Sequence, residues 1–418
     1  NIQSIELRGT SVVSIDSFKN LSKIKSLKIS ETRTLQSVAG VEEMTKLTDL
    51  DLSSNGIVVI DGLNNLVNLE TLYLNDNEIV SFPSINQLEF LTNLDISDNN
   101  INQLGDDLSG LSNLIELNAE NNEICDLSTL DDLISLEVLN LSNNDLGCGG
   151  VGVSPNFDSL ENAPNLKELY LDNNNLTSIE GLRDRDINLE VLHINDNNLT
   201  DITPIGAYTG ITELVLFNNN ITDIDDLSGM TGLSDIDLSN NNINDFSDLL
   251  SIPNLVDINL AFNNITTIPD ISGSWTSLSS LDLSSNQLSD TSGISGHPTI
   301  ESLIIYNNGL IELSGISDLP ELDNLVIFDE ELELELEPID VNPNNIQIIR
   351  DSFNNLESLT LQLDNVFDFG FELGNNIEIY NSINGLTDIQ TIEFTNMDID
   401  IIDEYSINLP NLRELYVD

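Results

Sequence analysis

Leu47-Thr48-Asp49-Leu50-Asp51-Leu52-Ser53-Ser54-Asn55 is the stretch on which the fold turns. Its spacing, Leu-x-x-Leu-x-Leu-x-x-Asn, returns at Leu69, Leu72, Leu74 and Asn77, and again at Leu91, Leu94, Ile96 and Asn99. Extended both ways, the pattern starts at positions 2, 24, 47, 69, 91, 114, 136, 166, 189, 211, 233, 255, 278, 300, 322, 356, 389 and 412. The steps are 22 or 23 residues, except for 30 before 166, 34 before 356 and 33 before 389. A fixed period of this length signals stacked units rather than one closed core.

The physics of one unit accounts for its residues. Numbering the motif as places one to nine, the aliphatic side chains at one, four and six point inward from a short strand and its approach. Those at three, five and seven face outward. The Asn at place nine turns its amide inward, where the chain leaves the strand and backbone groups need partners. It recurs from Asn55 to Asn308 and gives way to Thr10 and Thr32 early and to Glu330, Asp364 and Met397 late. One coil cannot bury its own apolar face, so neighbours must stack. At ~4.8 Å per strand, eighteen coils make a ladder on the order of 80 Å. A 22-residue unit leaves room only for a tight return, as in Leu199-Thr200-Asp201-Ile202-Thr203-Pro204-Ile205. The expected fold is a mostly-β member of the α/β solenoids. It is a curved, right-handed leucine-rich repeat with a parallel concave sheet of about 18 strands and short 3-10 or turn segments on the convex side.

Leu189 through Ile202 carries the motif on into Asn-Asn-Leu-Thr-Asp-Ile. In this the repeats resemble those of the bacterial internalin family, and less closely the 22-residue repeats of a eukaryotic phosphatase-1 regulatory subunit. The resemblance covers residues 2 to 328 well and the rest loosely. It implies binding of a protein through the concave face, often on a cell surface.

Residues 1–328 are expected to form regular repeats with one enlarged coil near 147–165. Residues 329–388 are expected to form irregular, enlarged repeats with extra strands, since Glu330 to Glu337 alternates Glu and Leu at strand period and Asp364 to Leu373 alternates again. Residues 389–418 hold the final repeats. Both ends fall inside a repeat, which suggests either chain continuing on each side or head-to-tail self-association through uncapped ends.

Seventy-two acidic against 12 basic residues give a net charge of −60. Nucleic acid and anionic membrane surfaces are excluded as expected partners, because both need clustered Lys and Arg. No apolar run reaches the ~18 residues of a membrane span. Asparagine is over-represented, with 58 copies. Extreme acidity with few Lys suits a marine or otherwise saline exterior, where salt screens self-repulsion.

Most outward places carry Asp, Ser or Asn, and two clusters break that rule. Tyr170, Val191, His193, Val215 and Phe217 fall on adjacent rungs, as do Ile304, Tyr306, Val326 and Phe328. Apolar groups rimmed by acids have the anatomy of a protein-binding hot spot, and the acidic rim favours a basic partner. The alternative is that an enlarged loop covers them. On the convex side Asp201, Asp223 and Asp245 recur four residues after the ladder Asn. They read either as a calcium site or as turn caps, with turn chemistry favoured. No cofactor is required. Cys125 and Cys148 fall on adjacent rungs, within reach of a disulfide, with two free thiols the alternative. A disulfide would argue for an oxidising compartment.

No Ser–His–Asp, Cys–His or HExxH grouping appears, and the two histidines, His193 and His297, lie five rungs apart. The sequence therefore points to a non-catalytic, extracellular or cell-surface solenoid that binds a protein or glycan. A structural segment of an adhesin, envelope layer or fibre is the second reading, and an intracellular scaffold the third.

Overall fold

A coil of 22 residues can satisfy both its leucines and its backbone only if the next coil lies in register. The computed structural model shows this arrangement. It describes residues 2–327 apart from 19, 22, 105–107, 109, 131–132, 184–186, 311–314, 317–318 and 323, together with the strands Ser358–Gln362, Thr391–Thr395 and Glu414–Val417. The chain divides into two units, Asn1–Asn220 and Ile221–Asp418. Phe328, Glu330–Glu337 and the ladder positions Glu330, Asp364 and Met397 lie outside the described residues.

In the first unit, short strands from Ser4–Arg8 to Glu213–Val215 pair in parallel. Each residue meets its counterpart one repeat on, as Leu50 meets Leu72 and Leu72 meets Leu94. The second unit repeats this from Asp235–Asp237 to Glu414–Val417. From Ile24 to Leu325 the side chains at places one, four and six are buried, along with the aliphatics that follow, such as Ile57, Ile60, Leu63 and Leu66, whereas in the first coil Ile2 is exposed and Ile5 and Leu7 are half-buried. Each such side chain contributes roughly 1.5–3 kcal/mol of transfer free energy. That gain is spent largely against backbone ordering.

Many of the return segments hold a short 3-10 turn, for example Leu63–Asn65 and Thr203–Ile205 in the first unit and Ser247–Ser251 in the second. Pro204 is the second residue of its turn, where a missing N–H costs nothing. In the second unit Trp275 and Phe246 fill the space with stacked rings, centroids 6.3 Å apart. The Trp275 indole N–H donates to the Leu249 carbonyl at 2.8 Å.

Asparagine holds the coils together in three columns. At place nine the carboxamide, buried in most coils, bonds through both its nitrogen and its oxygen. Asn99 Nδ2 donates to Leu74 O, Ile96 O and Ser97 O at 3.1, 3.0 and 2.9 Å, while its Oδ1 accepts from Ile79 N at 3.0 Å. Thr32 starts the ladder by donating to Asn55 Oδ1 from both N and Oγ1. A second column stands just before place one, where Asn68, Asn113 and Asn165 donate to the preceding coil's Thr45, Glu89 and Ile134 carbonyls. The third is place eight, whose residues take a left-handed backbone: Asp76, Asp98, Asn121, Asn143 and Asn173 all have φ of 51–57°. Asn and Asp tolerate that conformation better than other side chains with a Cβ. Asn173 Nδ2 also donates to Asn143 Oδ1 at 2.7 Å.

Cys125 and Cys148 are joined by a disulfide between neighbouring coils, with Cα atoms 5.9 Å apart. Cys125 is half-buried and Cys148 exposed. Gly147 beside it cannot be replaced, because a Cβ there would collide with the Asn175 carbonyl. This bridge sits at the start of the enlarged coil, which turns through Leu146–Gly149 and Phe157–Asn162 and drives Phe157 into the core.

Three stability outcomes follow from these contacts. Asn99→Ala strands one buried amide and the carbonyls it served, and should cost about 2–4 kcal/mol in urea unfolding. Asn113→Ala, at an exposed bond, should cost under about 1 kcal/mol. Reducing the disulfide, which closes a 23-residue separation, should remove about 3 kcal/mol, read as a lower thermal midpoint in dithiothreitol.

Candidate binding face

Because the strands are in register, outward side chains form columns along the sheet. Most rungs place Asp, Asn or Ser there. Asp51, Asp95 and Asp282 each accept a bond from the backbone N–H two residues on, at 3.0, 3.0 and 2.8 Å. Such rungs are polar and locally satisfied.

On three successive rungs of the first unit the pattern changes. Tyr170 aligns with His193 and His193 with Val215 in the place-five column, while Glu168, Val191 and Glu213 align at place three. The Tyr170 and His193 rings meet edge to face, centroids 4.9 Å apart at 83°. Each ring is tied by a flanking glutamate. Tyr170 Oη donates to Glu168 Oε2 at 2.9 Å, and His193 Nε2 lies 3.0 Å from Glu213 Oε1. A carboxylate only accepts, so the His193 proton sits on Nε2. Burial, then the Glu168 bond and nearby carboxylates, push the Tyr170 phenol up to about 12. Phe217 at place seven, like Val191 and Val215, is half-buried. Beside them Asp172 accepts from Asn195 N at 3.0 Å and Ser142 Oγ at 3.2 Å, and burial raises its pKa. The five residues singled out in the sequence thus lie on three successive rungs, with Tyr170 and His193 in ring contact. The two glutamates that fix the rings were not singled out, because their role depends on rotamers.

In the second unit Ile304 aligns with Val326, and both are half-buried, as is Tyr306. Tyr73, not anticipated, stands in the place-five column between Asp51 and Asp95 with 37% of its surface exposed. Burial first, and then four surrounding carboxylates, raise its pKa. An aromatic residue at place five was the available signal.

His297 belongs to the core of the second unit. It is fully buried, its Nε2 lies 3.1 Å from the Ser274 carbonyl, and burial lowers its pKa.

The convex aspartates act on their own turns. In the first unit Asp201 Oδ1 accepts from Thr203 N at 2.9 Å. In the second, Asp223 accepts from Asp225 N at 3.0 Å and Asp245 from Ser247 N at 2.9 Å. Among the described residues no group of three or more His, Cys, Asp or Glu is placed to hold a metal ion, and no helix is long and apolar enough to cross a membrane. Asp225 shares a hydrogen-bonded carboxyl cluster with Asp248 and Asp223, which pushes its pKa up to about 6.

The folded state therefore holds a proton on Asp225 that the unfolded chain releases near its ordinary value of 3.8. Its contribution is fully present below that value and is lost as pH rises through about 6. Carboxyl-carbon NMR should show Asp225 titrating near that midpoint, and Asp248→Asn should lower it.

Family models described as leucine-rich repeats match residues 45–87, 187–229, 209–251 and 253–296, and a single-repeat model matches 135–160 and 165–184. No curated protein sequence matches the chain. Among solved structures, a leucine-rich repeat protein of Leptospira interrogans is 24% identical with a TM-score of 0.74, covering 87% of this chain and 90% of its own. An internalin (InlF) from Listeria monocytogenes is 24% identical with a TM-score of 0.62, covering 80% and 88%. The plant peptide hormone receptor RGFR1, in complex with RGF2, is 18% identical with a TM-score of 0.56, covering 100% and 79%.

Proposed function

We propose that the chain, whose repeats match leucine-rich repeat models, is a non-catalytic recognition solenoid working at a cell surface or outside the cell. Its partner is a protein or peptide carrying basic side chains, bound on the outward face of the sheet around Tyr170, His193, Val215 and Phe217. The observation that carries this reading is the edge-to-face pair of Tyr170 and His193, each ring held by its own glutamate. Rings fixed before binding lose little conformational freedom when a partner arrives. The same glutamates, with Asp172, supply charge for Lys or Arg next to an apolar contact.

Two further features support the reading. The fold is shared with a plant receptor held in complex with RGF2. The Cys125–Cys148 disulfide suits an oxidising compartment.

Selection of a displayed random-peptide library on the wild-type chain should enrich sequences that pair Arg or Lys with an aromatic or aliphatic residue. Tyr170→Ser/Phe217→Ser should weaken the selected peptides at least tenfold by calorimetry with an unchanged circular dichroism spectrum. Equal binding to the variant would contradict the assignment of the face.

A further inference from the structure

The first unit carries a second surface, at the rim where its strands begin. Backbone bonds tie that rim together rung by rung. Thr48 N donates to Lys25 O at 2.8 Å, Glu70 N to Thr48 O at 2.7 Å, and Thr92 N to Glu70 O at 2.8 Å. Ile115 N then donates to Thr92 O and Glu137 N to Ile115 O, both at 2.8 Å. The residues so joined stand at place two of their coils; of those discussed below, Lys25 and Ile115 are at that place, Lys23, Lys46 and Phe90 two residues before it, and Val67 and Ile134 three before it.

Two departures from the repeat lie side by side there. The first is charge. Seven of the chain's 12 basic residues fall between Arg8 and Lys46, in a molecule of net charge −60. Of these, Lys23, Lys25 and Lys46 are exposed on the rim, and none makes an ion pair among the described residues.

The second is apolar exposure. On the next four rungs stand Val67, Phe90, Ile115 and Ile134, with 46, 58, 41 and 50% of their surfaces open to water. Phe90 occupies the position from which Asn68 and Asn113 each bond to the preceding coil. Where those coils make a stacking hydrogen bond, Phe90 presents a ring with more than half its surface open to water. Isolated exposed hydrophobes are ordinary, but four on consecutive rungs beside three unpaired lysines are not.

We propose that this rim docks an extended polypeptide segment with acidic residues at one end and aliphatic residues at the other. The acidic end lies over Lys23, Lys25 and Lys46, and the aliphatic end over Val67, Phe90, Ile115 and Ile134. From Lys25 to Ile134 is five rungs, about 24 Å at strand spacing, or roughly seven residues of extended chain. Exposed Glu70 and Glu89 lie within the apolar stretch. They repel carboxylates there and so fix the polarity of the bound segment. An anionic bilayer is a poorer occupant, because it would repel the rest of so acidic a body. This surface is independent of the Tyr170–Phe217 face.

The test uses the intact chain and a fluorescein-labelled peptide, Glu-Glu-Glu-Leu-Thr-Leu-Thr-Val, followed by anisotropy. Saturable binding is expected, weakening as salt rises. It should fall at least tenfold in Lys23→Glu/Lys25→Glu/Lys46→Glu and in Phe90→Ser/Ile115→Ser, and stay unchanged in Tyr170→Ser/Phe217→Ser. All substituted side chains are at least partly exposed, and circular dichroism checks that each variant folds. No saturable binding at millimolar peptide would overturn the proposal. So would equal binding of a peptide with Lys in place of Glu, indifference to both rim variants, or binding of phosphatidylserine vesicles without binding of the peptide.

Discussion

The buried carboxamide at place nine is the interaction on which the rest of this structure depends. Hydrophobic burial drives the coils together but is non-directional, and it would tolerate small slips between neighbours. A carboxamide does not. In the Asn77 rung the Nδ2 donates to Leu52 O, Leu74 O and Asn75 O while the Oδ1 accepts from Ile57 N. A one-residue slip would break the bonds to the neighbouring coil and leave buried groups unpaired, at roughly 1–3 kcal/mol for each. The ladder therefore sets register, and register sets which side chains become neighbours on the outward face and on the rim.

That constraint also makes the repeat its own reference. Wherever a rung departs from its neighbours without helping the stack, the departure asks for another explanation. Tyr170, His193 and Phe217 occupy places that commonly hold Asp, Asn or Ser, and Phe90 occupies a place from which Asn68, Asn113, Asn165, Asn188 and Asn254 each bond to the preceding coil. Trp275 also departs from the pattern, but its indole bonds to Leu249 O and its ring stacks on Phe246. It is explained by packing, so it carries no functional weight. The acidic background sharpens the contrast, because an apolar group among carboxylates is a small area of surface with a distinct partner chemistry.

Much of this was legible in the sequence because the period was. The spacing of Leu47, Leu50, Leu52 and Asn55 gave strand position, inward and outward places and the Asn ladder. Rung arithmetic alone brought Tyr170 beside His193 and Cys125 beside Cys148. Other features were hidden for identifiable reasons. The left-handed backbone at place eight is filled by Ser54, Asp76, Asn121 and even Phe262, so no single residue type marks it. The bonding Asn before place one merges with the general excess of Asn. The clamps from Glu168 and Glu213 depend on rotamers. The segment after Ile327 breaks the period with steps of 34 and 33 residues, and rung arithmetic has nothing to count there.

The central claim is that place-nine carboxamides, and not leucine packing alone, lock each coil to the next. Native-state hydrogen exchange tests it most directly at the amides of Ile57, Ile79, Ile124 and Leu199, whose protons go to the Oδ1 of Asn77, Asn99, Asn144 and Asn219. The account predicts protection equal to that of the paired strand amides of Leu72 and Leu94, lost together with them in a single opening. Exchange at those four amides as fast as in the exposed 3-10 turns, with the strands still protected, would contradict it.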